Sequence, residues 1–320
     1  MDIRALLQTA FSISFVLGWE AAALPQELQF PASESPASQQ VRLYSGAKPY
    51  VDRSISELQE VIPELRELEA PTAQTDWSAL LAQVGQKTEA LLAEMPDLIS
   101  REVVIRSLLG PRSNASVRQE FNYLIIFQRT SESTVMTEFR TDLQNNRIGS
   151  FSEDPRAPAA QGFALAWMRF HPSRRLESKF RYLGRQKVEG RAVDVVAFAQ
   201  TPGRVEFPAQ IRLKSATVPV LSQGVAWIDK SDFRILRLRT DLLAPLPEAQ
   251  IRKLTTTVDF SEVRIPHSTL RLWLPRKAVV EWETMPSNPL QLGQTSDSHY
   301  IERHSYTNYH IYHVSVKIGP

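Results

Sequence analysis

Gly224-Val225-Ala226-Trp227-Ile228-Asp229-Lys230-Ser231-Asp232-Phe233-Arg234-Ile235-Leu236-Arg237 is the stretch that decides the fold. Two runs of β-branched, aromatic and aliphatic residues flank Asp229-Lys230-Ser231-Asp232, a turn whose carboxylates can bond to its own backbone. Beyond the turn the pattern alternates. Leu236, Leu238 and Leu242 share one face, while Ile235, Arg237, Arg239 and Asp241 share the other. A period of two is a strand period, so the stretch reads as an antiparallel hairpin. Val188-Glu189-Gly190-Arg191 joins two further runs in the same way, with a Gly at a turn position.

Working outward, short runs of this kind recur at 99–108, 120–129, 134–143, 163–170, 178–188, 192–200, 205–213, 222–229, 233–242, 253–264, 271–284, 297–304 and 306–318. Val258 and Phe260 oppose Thr257, Asp259 and Ser261; near the end, Tyr312, Val314, Val316 and Ile318 oppose His313, Ser315 and Lys317. No helical run separates them, which excludes a parallel βαβ sheet and leaves a large antiparallel one, curled or closed.

Helices are expected only before the strands. Ile55, Leu58, Val61, Ile62, Leu65 and Leu68 follow a 3–4 spacing that Pro63 must interrupt, giving one or two short pieces. Asp76 can cap a longer helix whose stripe is Trp77, Leu80, Leu81, Val84, Thr88, Leu91, Leu92 and Met95, stopped by Pro96. That stripe must be buried against the strands.

The first 23 residues have the order of an export signal: Arg4, then an apolar run to Trp19, then Ala21, Ala22 and Ala23. The run is too short and too polar for a membrane span, and no second one follows. Residues 24–53, rich in Pro, Ser, Gln and Ala, are expected to be a flexible leader, and 54–320 a single β-rich domain with N-terminal helices. Export to the periplasm or the extracellular space is the expectation.

Composition excludes several classes. With 37 basic and 35 acidic residues the net charge of +2 gathers no phosphates, so no nucleic-acid partner is expected. The absence of Cys removes disulfides, thiolate catalysis, Cys-ligated zinc and a lipidated N-terminal Cys. No nucleophile elbow, HExxH or phosphate loop is found. His299, His304, His310 and His313 lie near the end of the chain, but His310 and His313 point to opposite faces of a strand, so no metal is expected. Glu281 and Glu283 share a strand face and read as solvated, not as an acid–base couple. Asp229 and Asp232 serve their turn, and Asn114-Ala115-Ser116 is a sequon of the kind that arises by chance. No cofactor and no enzymatic activity are expected.

Two stretches resemble a known family. One is Phe180-Arg181-Tyr182-Leu183-Gly184-Arg185-Gln186-Lys187-Val188-Glu189-Gly190-Arg191 with Val193 to Ala199; the other is the opening hairpin, with its W-I-D, turn, I-x-R pattern. Both are similar to hairpins of the outer-membrane lipoprotein-sorting proteins (the LolA/LolB/RseB type), and the chain also looks like exported acidobacterial proteins. The resemblance implies an incomplete β-barrel: one large curved antiparallel sheet covered by one or two N-terminal helices. It further implies a lipid, lipoprotein acyl chain or other hydrophobic ligand on the concave face. Arg129, closing Leu124-Ile125-Ile126-Phe127-Gln128-Arg129, matches an Arg that matters for ligand release in the carrier, although Thr130 stands where the family has Pro. Candidate ligand-binding residues are Arg129, Phe127, Trp227, Leu236, Leu238 and Trp273. The alternative is an envelope scaffold or sensor whose sheet is filled by its own side chains and whose partner is a protein.

Overall fold

The opening hairpin forms as expected: Ser222–Asp229 (β9) pairs antiparallel with Ile235–Leu242 (β10), Trp227 opposite Arg237 and Ala226 opposite Leu238. The computed structural model describes residues 12–14, 35–71, 77–110, 113–129, 134–148, 162–164, 166–206, 208–212, 217–285 and 299–312. Around the hairpin lie Leu98–Gly110 (β2), Ser113–Arg129 (β3), Thr134–Thr141 (β4), Ser178–Val188 (β5), Arg191–Gln200 (β6), Ile251–Arg264 (β11), Arg271–Thr284 (β12) and His299–Ile311 (β13). They build one ten-stranded antiparallel sheet in the order β4-β3-β2-β13-β12-β11-β10-β9-β6-β5. Its end strands, β4 and β5, are not paired with each other, so the sheet is open and not a closed barrel. The hairpin between β5 and β6 turns through Glu189 (φ 48°) and Gly190 (φ 81°), the two left-handed residues that a tight two-residue turn demands. Ser12–Ser14 (β1), Ala209–Arg212 (β7) and Thr217–Val220 (β8) form a separate small sheet in the order β1-β7-β8. β1 falls within the stretch expected as an export signal.

Among the described residues three α-helices precede β2: Pro36–Leu43 (α1), Ile55–Val61 (α2) and Trp77–Glu94 (α3). Ser54 and Glu57 close a reciprocal capping box on α2, and Pro63 ends it in favour of a 3-10 turn at Pro63–Leu65. On α3 the buried residues are Leu81, Val84, Gly85 and Thr88, the centre of the expected stripe. Trp77, at its start, stays 37% exposed; Asp76 lies outside the described residues.

Four expectations are corrected. Residues 163–170 are not a strand, since Ala166–Phe170 is a 3-10 helix continued by another at Pro172–Glu177. Phe163, Trp167 and Phe170 are spaced by four and three, a helical period hidden in an apolar run. Second, 35–53 is no free leader. Ser35 caps α1, and Gln40, Tyr44, Tyr50 and Val51 are buried, because the tyrosines supply apolar area that the composition concealed. Third, the candidate at 205–213 shrinks to β7, and β8 had not been anticipated. Fourth, 297–304 and 306–318 begin as one strand, β13, which crosses a register shift between Thr307 and His310. The alternation read at 313–318 lies outside the described residues.

Two layers sandwich the β5–β6–β9–β10 end of the sheet, and every residue of β9 is buried. Register places Gln223, Val225 and Arg239 on one face and Phe198, Gly224 and Leu238 on the other. The first face is covered by residues 40–69. The Tyr50 N–H donates to Gln223 Oε1 (2.7 Å), Arg239 donates to Glu64 (3.0 Å), and Glu69 and Arg185 exchange backbone hydrogen bonds. The second face carries residues 162–164 and 166–177, here termed the strap, with α3 packed on the strap's outer side. A Cβ on Gly85 of α3 would lie 3.2 Å from the Phe170 carbonyl oxygen, which measures how closely helix and strap approach.

Candidate functional site

The strap crosses the sheet. At one end Phe163 packs on the ring of His304 in β13, centroids 4.9 Å apart. At the other, Phe170 packs on Phe180 of β5 (5.4 Å) and Phe198 of β6 (5.8 Å). Between them, Trp167 is buried with its Nε1–H lacking a hydrogen-bond partner among the described residues, and Arg169 donates to Ser222 Oγ (2.5 Å). Burial lowers the Arg169 pKa to about 10. Three large aromatic side chains therefore occupy this face. They come from a segment held by short 3-10 turns, whose hydrogen bonds are poorer than those of sheet or α-helix.

The face is chemically divided. At the β5–β6–β9–β10 end it presents Phe180, Phe198, Val196 and Leu238. Toward β4 it presents a buried charged cluster that register assembles from four strands: Glu102 and Arg106 of β2, Glu302, His304 and Tyr306 of β13, Tyr123 of β3, and Glu138 and Arg140 of β4. Glu102 receives both arms of the Arg140 guanidinium, one of them at 2.8 Å. It also faces His304 Nδ1 at 2.9 Å and accepts the Tyr306 hydroxyl at 2.9 Å. Glu302 accepts from Arg106 Nε at 2.6 Å and lies 3.6 Å from His304 Nε2. Glu138 accepts the Tyr123 hydroxyl and, at 3.0 Å, the backbone N–H of Gly162 at the start of the strap. Burial pushes the Glu102 carboxyl up, but Arg140 and His304 outweigh it and hold the pKa at about 2. Burial lowers that of His304, and the two glutamates more than reverse it, leaving it raised. Burial drives the hydroxyls of Tyr123 and Tyr306 well above the usual phenol range.

The six residues singled out from sequence do not form one cluster. Phe127 and Arg129 lie on β3, next to one end of the sheet, whereas Leu236, Leu238 and Trp227 lie on β10 and β9, five or six strands away. Trp227 is fully buried on the face opposite Leu238, donating to Gln186 Oε1 at 3.2 Å. Trp273 is buried under the Arg234 guanidinium (5.1 Å) and donates to the Ile235 carbonyl at 2.8 Å. Leu236 sits at a register shift. Arg129 stacks on Phe127 at 4.5 Å and donates to the Met95 carbonyl just past α3, where a cation suits the helix dipole. Sequence reasoning missed the charged cluster apart from His304. The signal was present: Ser100, Glu102, Val104 and Arg106, and Tyr300, Glu302, His304 and Tyr306, alternate with period two.

Glu281, Glu283 and His299 could offer three metal ligands within 4.8 Å of one another on the outer face of β12 and β13. Lys253 lies 3.6 Å from Glu283 and 3.8 Å from Glu281, and Arg252 lies 2.8 Å from Glu283, so protein cations already stand where an ion would bring charge. At the β9–β10 turn, Asp229 accepts from the Ser231 N–H (2.7 Å) and Asp232 from the Arg234 N–H (3.0 Å), as their sequence positions suggest. Among the described residues no helix is long and apolar enough to cross a membrane.

No family model and no curated protein matches the chain. Among solved structures it is similar to an outer membrane lipoprotein-sorting protein domain from Vibrio parahaemolyticus, with 12% identity over 71% of this chain and 90% of that one and a TM-score of 0.38. A DUF1329 family protein from Desulfovibrio piger is similar at 11% identity over 74% and 94% of the two chains, with a TM-score of 0.35. The Mycobacterium tuberculosis lipoprotein LppX is similar at 13% identity over 52% and 90%, with a TM-score of 0.24.

Proposed function

We propose that the chain is an exported, non-enzymatic binding protein that holds a lipid, an acyl chain or another hydrophobic ligand on the strap-covered face of its sheet. One observation carries this reading. The apolar side chains lying on that face come from Phe163, Trp167 and Phe170 of a strap, not from a second sheet, so a ligand of similar chemistry can take their place without breaking a strand ladder. Leu238, with Phe180 and Phe198, would line the apolar end, and Phe127 and Arg129 the far rim; Trp227, Leu236 and Trp273 would shape the support behind. Each methylene withdrawn from water contributes about 0.8 kcal/mol, so reversible partition gives useful affinity with no covalent step. Glu102, Arg106, Arg140, Glu302 and His304 on this face bind one another at 0–7% exposure, which supports binding over catalysis.

The test is mass spectrometry of organic extracts from protein purified from its own envelope, paired with displacement of a fluorescent fatty acid. Co-purifying lipid displaced at stoichiometric ratio is the expected result. A clean extract with no probe binding overturns the reading. It would favour the scaffold or sensor alternative, to which the filling of the face by the chain's own aromatics already lends support.

A further inference from the structure

We propose that His304 is a protonated latch, held as an imidazolium between two buried glutamates, and that loss of its proton releases the beginning of the strap from the sheet.

The geometry favours the charge. Nδ1 faces Glu102 Oε1 at 2.9 Å and Nε2 faces Glu302 Oε2 at 3.6 Å, with ring and carboxylates 0–1% exposed. A neutral imidazole has one N–H and one lone pair, so in either tautomer a lone pair would face one of the two carboxylates, across 2.9 Å at Nδ1 or 3.6 Å at Nε2. Only the imidazolium presents a donor to each side. The surroundings agree. Toward His304 face Glu102 and Arg106 from β2, Glu302 and Tyr306 from β13, Tyr123 from β3, Glu138 and Arg140 from β4, and uncharged Ala278 from β12. Among the described residues these are three carboxylates and two guanidiniums, and the imidazolium adds a third positive charge.

The strap is anchored to this cluster at two points, Phe163 on the imidazole ring and the Gly162 N–H on Glu138. Its other end is held by Phe170 on Phe180 and Phe198, which do not titrate, and by Arg169 on Ser222, whose guanidinium loses its proton only toward about 10. Deprotonation therefore loosens one end only. Because the folded-state pKa of His304 is raised, the stabilisation is complete below about 6.5, the ordinary histidine value, and is lost as pH rises through the higher folded value. The latch does not depend on what the face binds, so it stands or falls separately from the ligand assignment.

The experiment combines carbon NMR of histidine labelled at Cε1 with hydrogen exchange across an alkaline titration, corrected for intrinsic rates; the His304→Gln variant assigns the resonance. The expected result is a His304 signal still in the imidazolium form at pH 7. On its deprotonation, protection should fall about tenfold per pKa unit of coupling at residues 162–164 while Ala166–Phe170 keeps its own. His304→Gln should show the loosened start at every pH; if it does not fold, the wild-type titration alone decides. A neutral His304 at pH 7, or protection at 162–164 that does not follow its titration, overturns the proposal.

Discussion

Glu102 lies at a 0% exposed position and meets Arg140, His304 and Tyr306 at once. An isolated carboxylate there would be prohibitive, and what makes it tolerable is that each oxygen is bonded and charge is returned by two partners. Arg140→Ala removes the bidentate partner and leaves the glutamate with His304 and Tyr306 alone. The expected cost is about 3–5 kcal/mol, read from urea unfolding. A cost below about 1 kcal/mol would mean that water reaches the cluster. The pH dependence follows from the sign of the shift. With its folded pKa held at about 2, below the usual carboxylate value, Glu102 stabilises the fold above that ordinary value. That contribution fades as pH falls through the folded value. His304 acts in the opposite sense, so the cluster is firmest between the acid and alkaline limits, and Arg140→Ala should flatten the acid limb.

At the scale of elements, what was legible in the sequence is what local periodicity encodes. The hairpins at Asp229–Asp232 and Glu189–Gly190, the helix Trp77–Glu94 and the strand Arg271–Thr284 follow from turn residues, a helical stripe and alternation. The 3-10 strap escaped because its aromatic run mixes both periods. The charged cluster escaped because Glu102 and Glu302 become neighbours only when β2 pairs with β13, far apart along the chain. Close approach of the N-terminal segment to β5 was equally silent, although Gly184 now explains itself. Its φ of +138° marks a register shift, and a Cβ there would lie 2.1 Å from the Glu69 carbonyl oxygen. Gly184→Ala is therefore both strained and blocked by backbone. It should cost about 3 kcal/mol or more and raise hydrogen exchange at Leu68–Glu69 and along β5, leaving β2, β3 and β4 protected. Uniform loss of protection across the whole sheet would contradict the local account.

For the molecule as a whole, the sheet is stabilised by different agents on its two faces, and this decides which parts are dispensable. On the strap side the cover is a connection between strands, so it cannot be lost without the chain being cut. On the other side the cover is residues 40–69, an N-terminal extension, beneath which Val195, Val225, Gln223 and the Arg239–Asp241 pair are buried. Arg239 bonds both Asp241 and Glu64, so stripping the extension would uncover apolar strand faces and take one carboxylate from a buried guanidinium. A chain beginning at residue 35 retains all of these contacts and should unfold cooperatively, with a midpoint close to that of the full chain. A chain beginning at residue 71 retains none, and should show strand signal in the far-ultraviolet with a broadened thermal transition and exposed apolar surface that binds a hydrophobic dye. Equal cooperativity of the two truncated chains would show that residues 40–69 merely rest on a sheet that is stable alone. The leader reading would then hold in energy for 35–53, though not in position.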